Sequence, residues 1–331
     1  MIGSSVHSEM NLEEKIFSIS NSDEFCSVAL EVYRFQKENC QVYGEFIRSM
    51  GRPDPITVKD IPFLPISFFK NTDILARDLL PELTFLSSGT TGMERSRHLV
   101  AKSSVYIRSF VHTYRKYMGD PENHVILALL PNYTEQGHSS LVYMVEHLIQ
   151  LSGSPLSRFM LQDLNEVKNS YDKAILTGKK VIVFGVSYAL LDLAETGTDL
   201  SQAIIIETGG MKGRRRERTK EELHKELIQG LKVPFVSSEY GMTELLSQAY
   251  SDKDGLFTCP NWMQILCRDV NDPFHYVAEG KTGGMNLIDL ANLYSCSFIA
   301  TQDLGRIEGS SFRIMGRFDN ADLRGCNLMV E

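Results

Sequence analysis

Thr84-Phe-Leu-Ser-Ser-Gly-Thr-Thr-Gly92 is the stretch that decides the reading of this chain. A strand-like lead runs into a loop of hydroxyls and glycines. Glycine lets backbone approach a ligand closely, and its freedom at positive φ allows a nest of N–H donors. The hydroxyls of Ser87, Ser88, Thr90 and Thr91, spaced by Gly89 and Gly92, suit phosphate oxygens. The Lys of a Walker A loop is missing, so the stretch reads either as a different phosphate cradle or as a polar turn. Glu94-Arg-Ser-Arg-His98 follows and brings Arg95 and Arg97, of which Arg97 is the preferred phosphate partner. The alternative is a solvated helix start.

Outward from this loop the pattern is strand, loop, helix. Val125–Leu130, Val181–Phe184 and Ile204–Ile206 are short apolar runs rich in branched residues, as in strands buried on both faces. Amphipathic helices are expected at Ser139–Leu151 and Arg216–Leu231. Such alternation predicts an α/β fold with a parallel or mixed sheet covered by helices. Residues 11–50 read as helical, with Asn21 and Glu24 placed like a capping box. After residue 250 helical periodicity fades into short strand-like pieces at Phe274–Val277, Asn286–Leu290, Phe298–Thr301 and Phe312–Met315. The expected organisation is a helical segment at 1–80, an α/β core at 81–250, and a small β-rich subdomain with a tail at 251–331.

Four later stretches carry chemistry. Glu207-Thr-Gly-Gly210 directly follows an expected strand, and Gly209 with Gly210 permits a tight turn and the approach of a flat ring. Ser237-Ser-Glu-Tyr-Gly-Met-Thr-Glu244 follows Val233–Val236, taken as a strand, and so stands at the sheet edge where α/β proteins bind ligands. There Tyr240 and Gly241 offer a stacking face, Thr243 a phosphate donor and Glu244 a ligand for a hard cation such as Mg²⁺. A helix N-cap is the competing reading of this stretch. Asp303, in Thr301-Gln-Asp-Leu-Gly-Arg306, suits ribose hydroxyls or a plain β-turn. Arg317, in Met315-Gly-Arg-Phe-Asp319, suits ribose or phosphate or a surface turn.

Composition excludes several classes. The 331 residues, 43% hydrophobic and 23% charged, are ordinary globular composition, which argues against disorder. Net charge is −8, so no general footprint for nucleic acid or anionic membrane exists. The longest strongly apolar run, Val125–Leu130, falls far short of the ~20 residues of a membrane span. Six scattered cysteines with no CxxC point to free thiols in a reducing cytoplasm.

In this order and spacing, the motifs resemble those of the adenylate-forming superfamily from about residue 81 onward. A closer resemblance is to the acyl-protein synthetases, the fatty-acid-activating component of bacterial luminescence fatty-acid reductase complexes. Phe63-Leu-Pro-Ile-Ser-Phe-Phe-Lys70, Ser96-Arg-His98, Leu130-Pro-Asn-Tyr133, Thr208-Gly-Gly-Met-Lys212 and Arg324-Gly-Cys-Asn-Leu328 carry it.

That resemblance implies a ligase that uses ATP and Mg²⁺ to make an acyl-adenylate and passes the acyl group to a thiol. Ser87 to Gly92 would cradle the phosphates. Gly209, Gly210 and Tyr240 would sandwich adenine. Thr243 would touch the α-phosphate, Glu244 would bind Mg²⁺, and Asp303 with Arg317 would hold ribose. Cys326 would be the self-acylated thiol, with Arg324 close by favouring the thiolate. His138 would line the acyl pocket or serve as a structural residue. The chain departs from the superfamily in having no Lys after Lys281, which removes the Lys of the usual C-terminal mobile domain. It therefore resembles the short acyl-protein synthetases. The alternatives are a ligase that hands the acyl group to CoA or a carrier protein with a partner's help, and a non-catalytic nucleotide-binding subunit.

Overall fold

The computed structural model describes residues 11–88, 95–131, 138–161, 163–209 and 219–318. Three helices lead: Leu12–Ser18, Ser22–Asn39 and Gln41–Met50. Asn21 caps the second by accepting the Glu24 N–H at 3.0 Å, while the Glu24 carboxylate reaches back to the N–H of Ser20 at 2.8 Å. This segment is not a free appendage. Gln36, fully buried, donates to the carbonyls of Asn292 and Leu293, and Leu64–Pro65 pairs in parallel with Ile299 and Ala300.

One 12-stranded sheet organises the rest. Its parallel half runs Val236–Tyr240, Ala203–Thr208, Lys180–Val186, His124–Leu129, Arg158–Phe159. His124–Leu129 is buried at every position, as expected of a parallel strand covered on both faces. Helices Ser140–Ser152 and Leu164–Ile175 cover it, while Ser187–Glu195 packs against Lys220–Leu231. That last contact requires Gly230, because a Cβ there would sit 2.6 Å from the Ala194 Cβ.

The antiparallel half continues the same sheet through Ala249–Ser251, Phe257–Thr258, Ser311–Arg317, Phe298–Glu308, Thr282–Asp289 and Met263–Arg268. Thr258 pairs with Tyr250, and Tyr250 pairs on its other side with Glu239, so the ladder crosses the expected boundary at residue 250. A separate hairpin, Leu83–Leu86 against Arg97–Val100, carries the loop of hydroxyls and glycines.

Several local expectations differ from the fold. The strand after helix Lys220–Leu231 is Val236–Tyr240 and not Val233–Val236. Pro234 has no N–H for a ladder, and the later residues pair with 205–208 instead. Residues 97–100 form a strand, not a helix start, because Arg97 to Val100 pair with Leu86 to Leu83. Phe274–Val277 is no strand; it contributes one bridge, Arg268 with Tyr276. Asp303 lies inside an 11-residue strand and not at a turn.

Candidate active site

Two parallel strands end side by side, one at Thr208 and one at Tyr240. Past them a cavity of about 420 Å³ opens between these ends, the hairpin and the start of helix Ser140–Ser152. Ser87, Ser88 and Arg95 line it from the hairpin, Gly209 and Gly241 to Thr243 from the strand ends, and His138 to Leu141 from the helix start. This is where open α/β sheets place ligands. Gly209 holds φ +74°, a conformation that favours glycine, and its carbonyl accepts from Ser187 at 3.0 Å. Gly241 leaves room for the Glu239 carboxyl, whose oxygen would lie 2.4 Å from a Cβ at 241.

The predicted residues do not all face this cavity. Ser87 Oγ accepts the Ser96 N–H at 2.8 Å, which closes the neck of the loop. Arg95 lines the cavity, whereas Arg97 turns outward on its strand, and its Nε donates to Asp73 at 2.7 Å. His138 lines the wall, with Nδ1 3.3 Å from the Thr84 carbonyl. Gly89, Thr90, Thr91, Gly92, Gly210 and Cys326 lie outside the described residues.

Tyr240, Asp303 and Arg317 come together as one network. Tyr240 donates its hydroxyl to Asp303 Oδ2 at 2.7 Å, and Arg317 Nε donates to Oδ1 at 2.9 Å. The Tyr240 ring is buried, edge-on to Phe257 and Phe312. Its hydroxyl thus anchors Asp303, and both carboxylate oxygens of Asp303 have partners.

His98, which the sequence offers only as part of a motif, locks the next turn. It is fully buried, with Nδ1 2.8 Å from the Thr243 carbonyl and Nε2 2.9 Å from Asn292 Oδ1. Asn292 in turn donates to the Glu244 carbonyl at 2.7 Å. Burial pushes the imidazole down to about 4 despite these partners. A neutral ring donates through only one of its two nitrogens, either directly to the Thr243 carbonyl or to Asn292, which holds Glu244, and by either route it ties the hairpin to the Thr243–Glu244 turn. Asp289 braces the following turn by accepting the N–H groups of Leu246 and Ser247 at 2.7 and 3.0 Å.

Glu244 stands behind Thr243, buried, and burial raises its carboxyl above the usual range although Ser96 hydrogen-bonds it. No group of three or more His, Cys, Asp or Glu fit to hold a metal stands among the described residues. A single carboxylate suits Mg²⁺, which is commonly held by one or two carboxylates plus substrate phosphates. The charge such an ion brings would offset the desolvation of Glu244.

Two wall residues escaped the sequence reading. Gln248 is 4% exposed, and its Oε1 has no partner among the described residues. A buried orphan acceptor on a cavity wall fits a donor from a bound molecule. Glu239 is held by the Thr208 hydroxyl and raised by burial to about 7. Both flank the Tyr240–Glu244 motif, but a lone Glu within a strand or Gln just before one carries no motif by which to be found.

The comparison with curated proteins yields no match. Among solved structures, ATP-bound MatB from Rhodopseudomonas palustris aligns at TM-score 0.54 and 17% identity, over 71% of this chain and 47% of MatB. An open conformation of 2-hydroxyisobutyryl-CoA ligase, in complex with 2-HIB-AMP and CoA, aligns at 0.66 and 12%, over 90% and 71%. A long-chain-fatty-acid-CoA ligase (FadD1) from Archaeoglobus fulgidus aligns at 0.52 and 14%, over 75% and 53%. At these identities the likeness is one of fold, and the chain spans about half the length of MatB. The strand-end cavity and the Tyr-Gly-Met-Thr-Glu turn thus sit in a fold shared with these solved structures. The family model of LuxE, acyl-protein synthetase, matches residues 2–331, and the chain belongs to that family.

Proposed function

We propose that this protein activates a carboxylic acid, a fatty acid, as an acyl-adenylate with ATP and Mg²⁺, and passes the acyl group to its own Cys326. The observation that carries the reading is the convergence of Ser88, Arg95, Gly209 and Thr243 on one cavity at the strand ends. Membership of the acyl-protein synthetase family and the fold shared with ATP-bound MatB support it.

In this reading a carboxylate oxygen attacks the α-phosphorus of ATP, the bond to the β-phosphate oxygen breaks, and pyrophosphate leaves with the electron pair. Catalysis is then mostly positioning and charge stabilisation. Arg95 supplies fixed positive charge at the phosphates. The Thr243 hydroxyl donates to the α-phosphate, and the His98 bridge holds its backbone in place. Glu244 would hold Mg²⁺, which when bound neutralises phosphate charge. Tyr240 and Arg317 fix Asp303 for the ribose hydroxyls. Leu141 and Met144 give the acid an apolar wall. The Cys326 thiolate then attacks the acyl carbon and AMP leaves, giving a thioester.

The test is acid-dependent ATP–pyrophosphate exchange over acids from acetate to long-chain fatty acids, with Glu244→Ala and Cys326→Ser beside wild type. Expected are exchange that needs an acid, its loss in Glu244→Ala and its survival in Cys326→Ser. Labelled acid should leave a hydroxylamine-sensitive mark on wild type only. Exchange with no such mark, or a mark that persists in Cys326→Ser, overturns self-acylation. Absence of exchange with every acid overturns the adenylation reading.

A further inference from the structure

A second cavity, of about 450 Å³, shares no lining residue with the first, although Thr301 and Gln302 on its wall precede Asp303 in the same strand. It forms where the N-terminal segment crosses the antiparallel half of the sheet. Phe46, Met50, Phe63 and Ile66 wall one side and Phe274 part of the other. Its size falls in the usual range of small-molecule sites, roughly 300–1,000 Å³. Phe274 is 50% exposed on the rim, with the Arg52 guanidinium 4.2 Å from its ring centroid. The apolar surface here is thus open to a ligand instead of being spent on the core.

The charge around this cavity is one-sided. Arg52, Lys59 and Arg268 all line it. Arg268 is half-buried, and its guanidinium hydrogen bonds go to neutral acceptors: the carbonyls of Met285 and Thr301 at 2.8 and 2.6 Å, and Asn286 Oδ1 at 2.8 Å. Lys59 is in no ion pair among the described residues. The only lining carboxylate among the described residues is Asp60, and it is already engaged by the Thr57 N–H and hydroxyl, both at 2.8 Å, while feeling Arg52. A desolvated guanidinium with no carboxylate partner is costly to keep, and an anion in the cavity would offset that cost.

We infer that this cavity is a second ligand site, for an aliphatic chain bearing one anionic head, carboxylate or phosphate. The chain would lie along Phe46, Met50, Phe63 and Phe274. The head would face Arg52, Lys59 and Arg268. The inference goes beyond the proposed activity and stands without it, because it needs no nucleotide and no residue of the first cavity.

The test is equilibrium binding of 11-(dansylamino)undecanoate to the full chain without ATP, read by dansyl fluorescence. Arg52→Gln/Lys59→Gln is the informative variant, since both residues are exposed and neither side chain is in an ion pair among the described residues. Expected are saturable binding, affinity weakened by at least about tenfold in the double variant, and displacement by dodecanol at least about tenfold weaker than by dodecanoate, as lost charge-assisted contacts imply. Dodecanoate and dodecyl phosphate as competitors tell which head the site prefers. Equal binding by wild type and double variant, or equal displacement by dodecanol, overturns the inference. So does binding that Met144→Trp, which fills the first cavity, abolishes while the double variant keeps it. Acid-dependent pyrophosphate exchange in the double variant is expected to match wild type, so the two readings fail separately.

Discussion

Replacing Glu239 by Gln should make the protein more stable at alkaline pH and nearly no different in acid. Glu239 is the penultimate residue of a fully buried strand beside the candidate active site, and burial raises its carboxyl from 4.5 to about 7 although Thr208 donates to it. The direction follows from linkage. Below pH 4.5 folded and unfolded chains both hold the proton, so the group contributes nothing. Between 4.5 and 7 the unfolded chain loses the proton and the folded one keeps it, so stability falls as pH rises. Above 7 the full cost is present. At about 1.4 kcal/mol per pH unit, the gap between 4.5 and about 7 amounts to about 3 kcal/mol at pH 8 and about 1.4 at pH 5.5. Gln keeps an acceptor for Thr208 and carries no charge. Urea unfolding of both proteins from pH 5 to 8.5 measures the difference, in which all other titrating groups cancel. An advantage of Glu239→Gln that grows by about 2 kcal/mol across that range is expected. A difference independent of pH, or one that shrinks as pH rises, refutes the reasoning.

Other outcomes follow from the same geometry. His98→Ala should cost about 3–5 kcal/mol in urea unfolding, because it opens a buried cavity and removes the one N–H that the neutral ring gives to the Thr243 carbonyl or to Asn292. Tyr240→Phe should lose about 1–2 kcal/mol of stability and raise KM for ATP more than it lowers kcat in pyrophosphate exchange, since Asp303 loses one of its two anchors. Arg95→Gln should raise KM for ATP by at least about tenfold, whereas Arg97→Gln should stay within about twofold, because its exposed pair with Asp73 is worth under about 1 kcal/mol.

Much of this protein is local, and what is local was legible in the sequence. Apolar runs at 125–130, 181–184 and 204–206 become buried parallel strands, and the helices between them fall within a few residues of their periodicity. The order of short motifs was enough to indicate the adenylate-forming resemblance, because backbone turns and hydroxyls at strand ends need particular residue types. Which side chain faces which neighbour was decided only by the tertiary structure. Arg95 and Arg97 read alike along the chain, but hairpin pairing sends Arg97 out to Asp73, while Arg95, before the strand begins, lines the cavity. Tyr240 read as a stacking face, yet the sheet buries its ring and spends its hydroxyl on Asp303, 63 residues away. His98 and Asn292 meet across 194 residues, and Glu239 and Gln248 acquire meaning only through burial beside a cavity. The sequence by itself determined the elements and the motif order, because those depend on spacing along the chain. The tertiary structure decided which groups pair, which stay unpaired and which face a cavity, because desolvation and donor–acceptor matching depend on distances that only the folded sheet brings about.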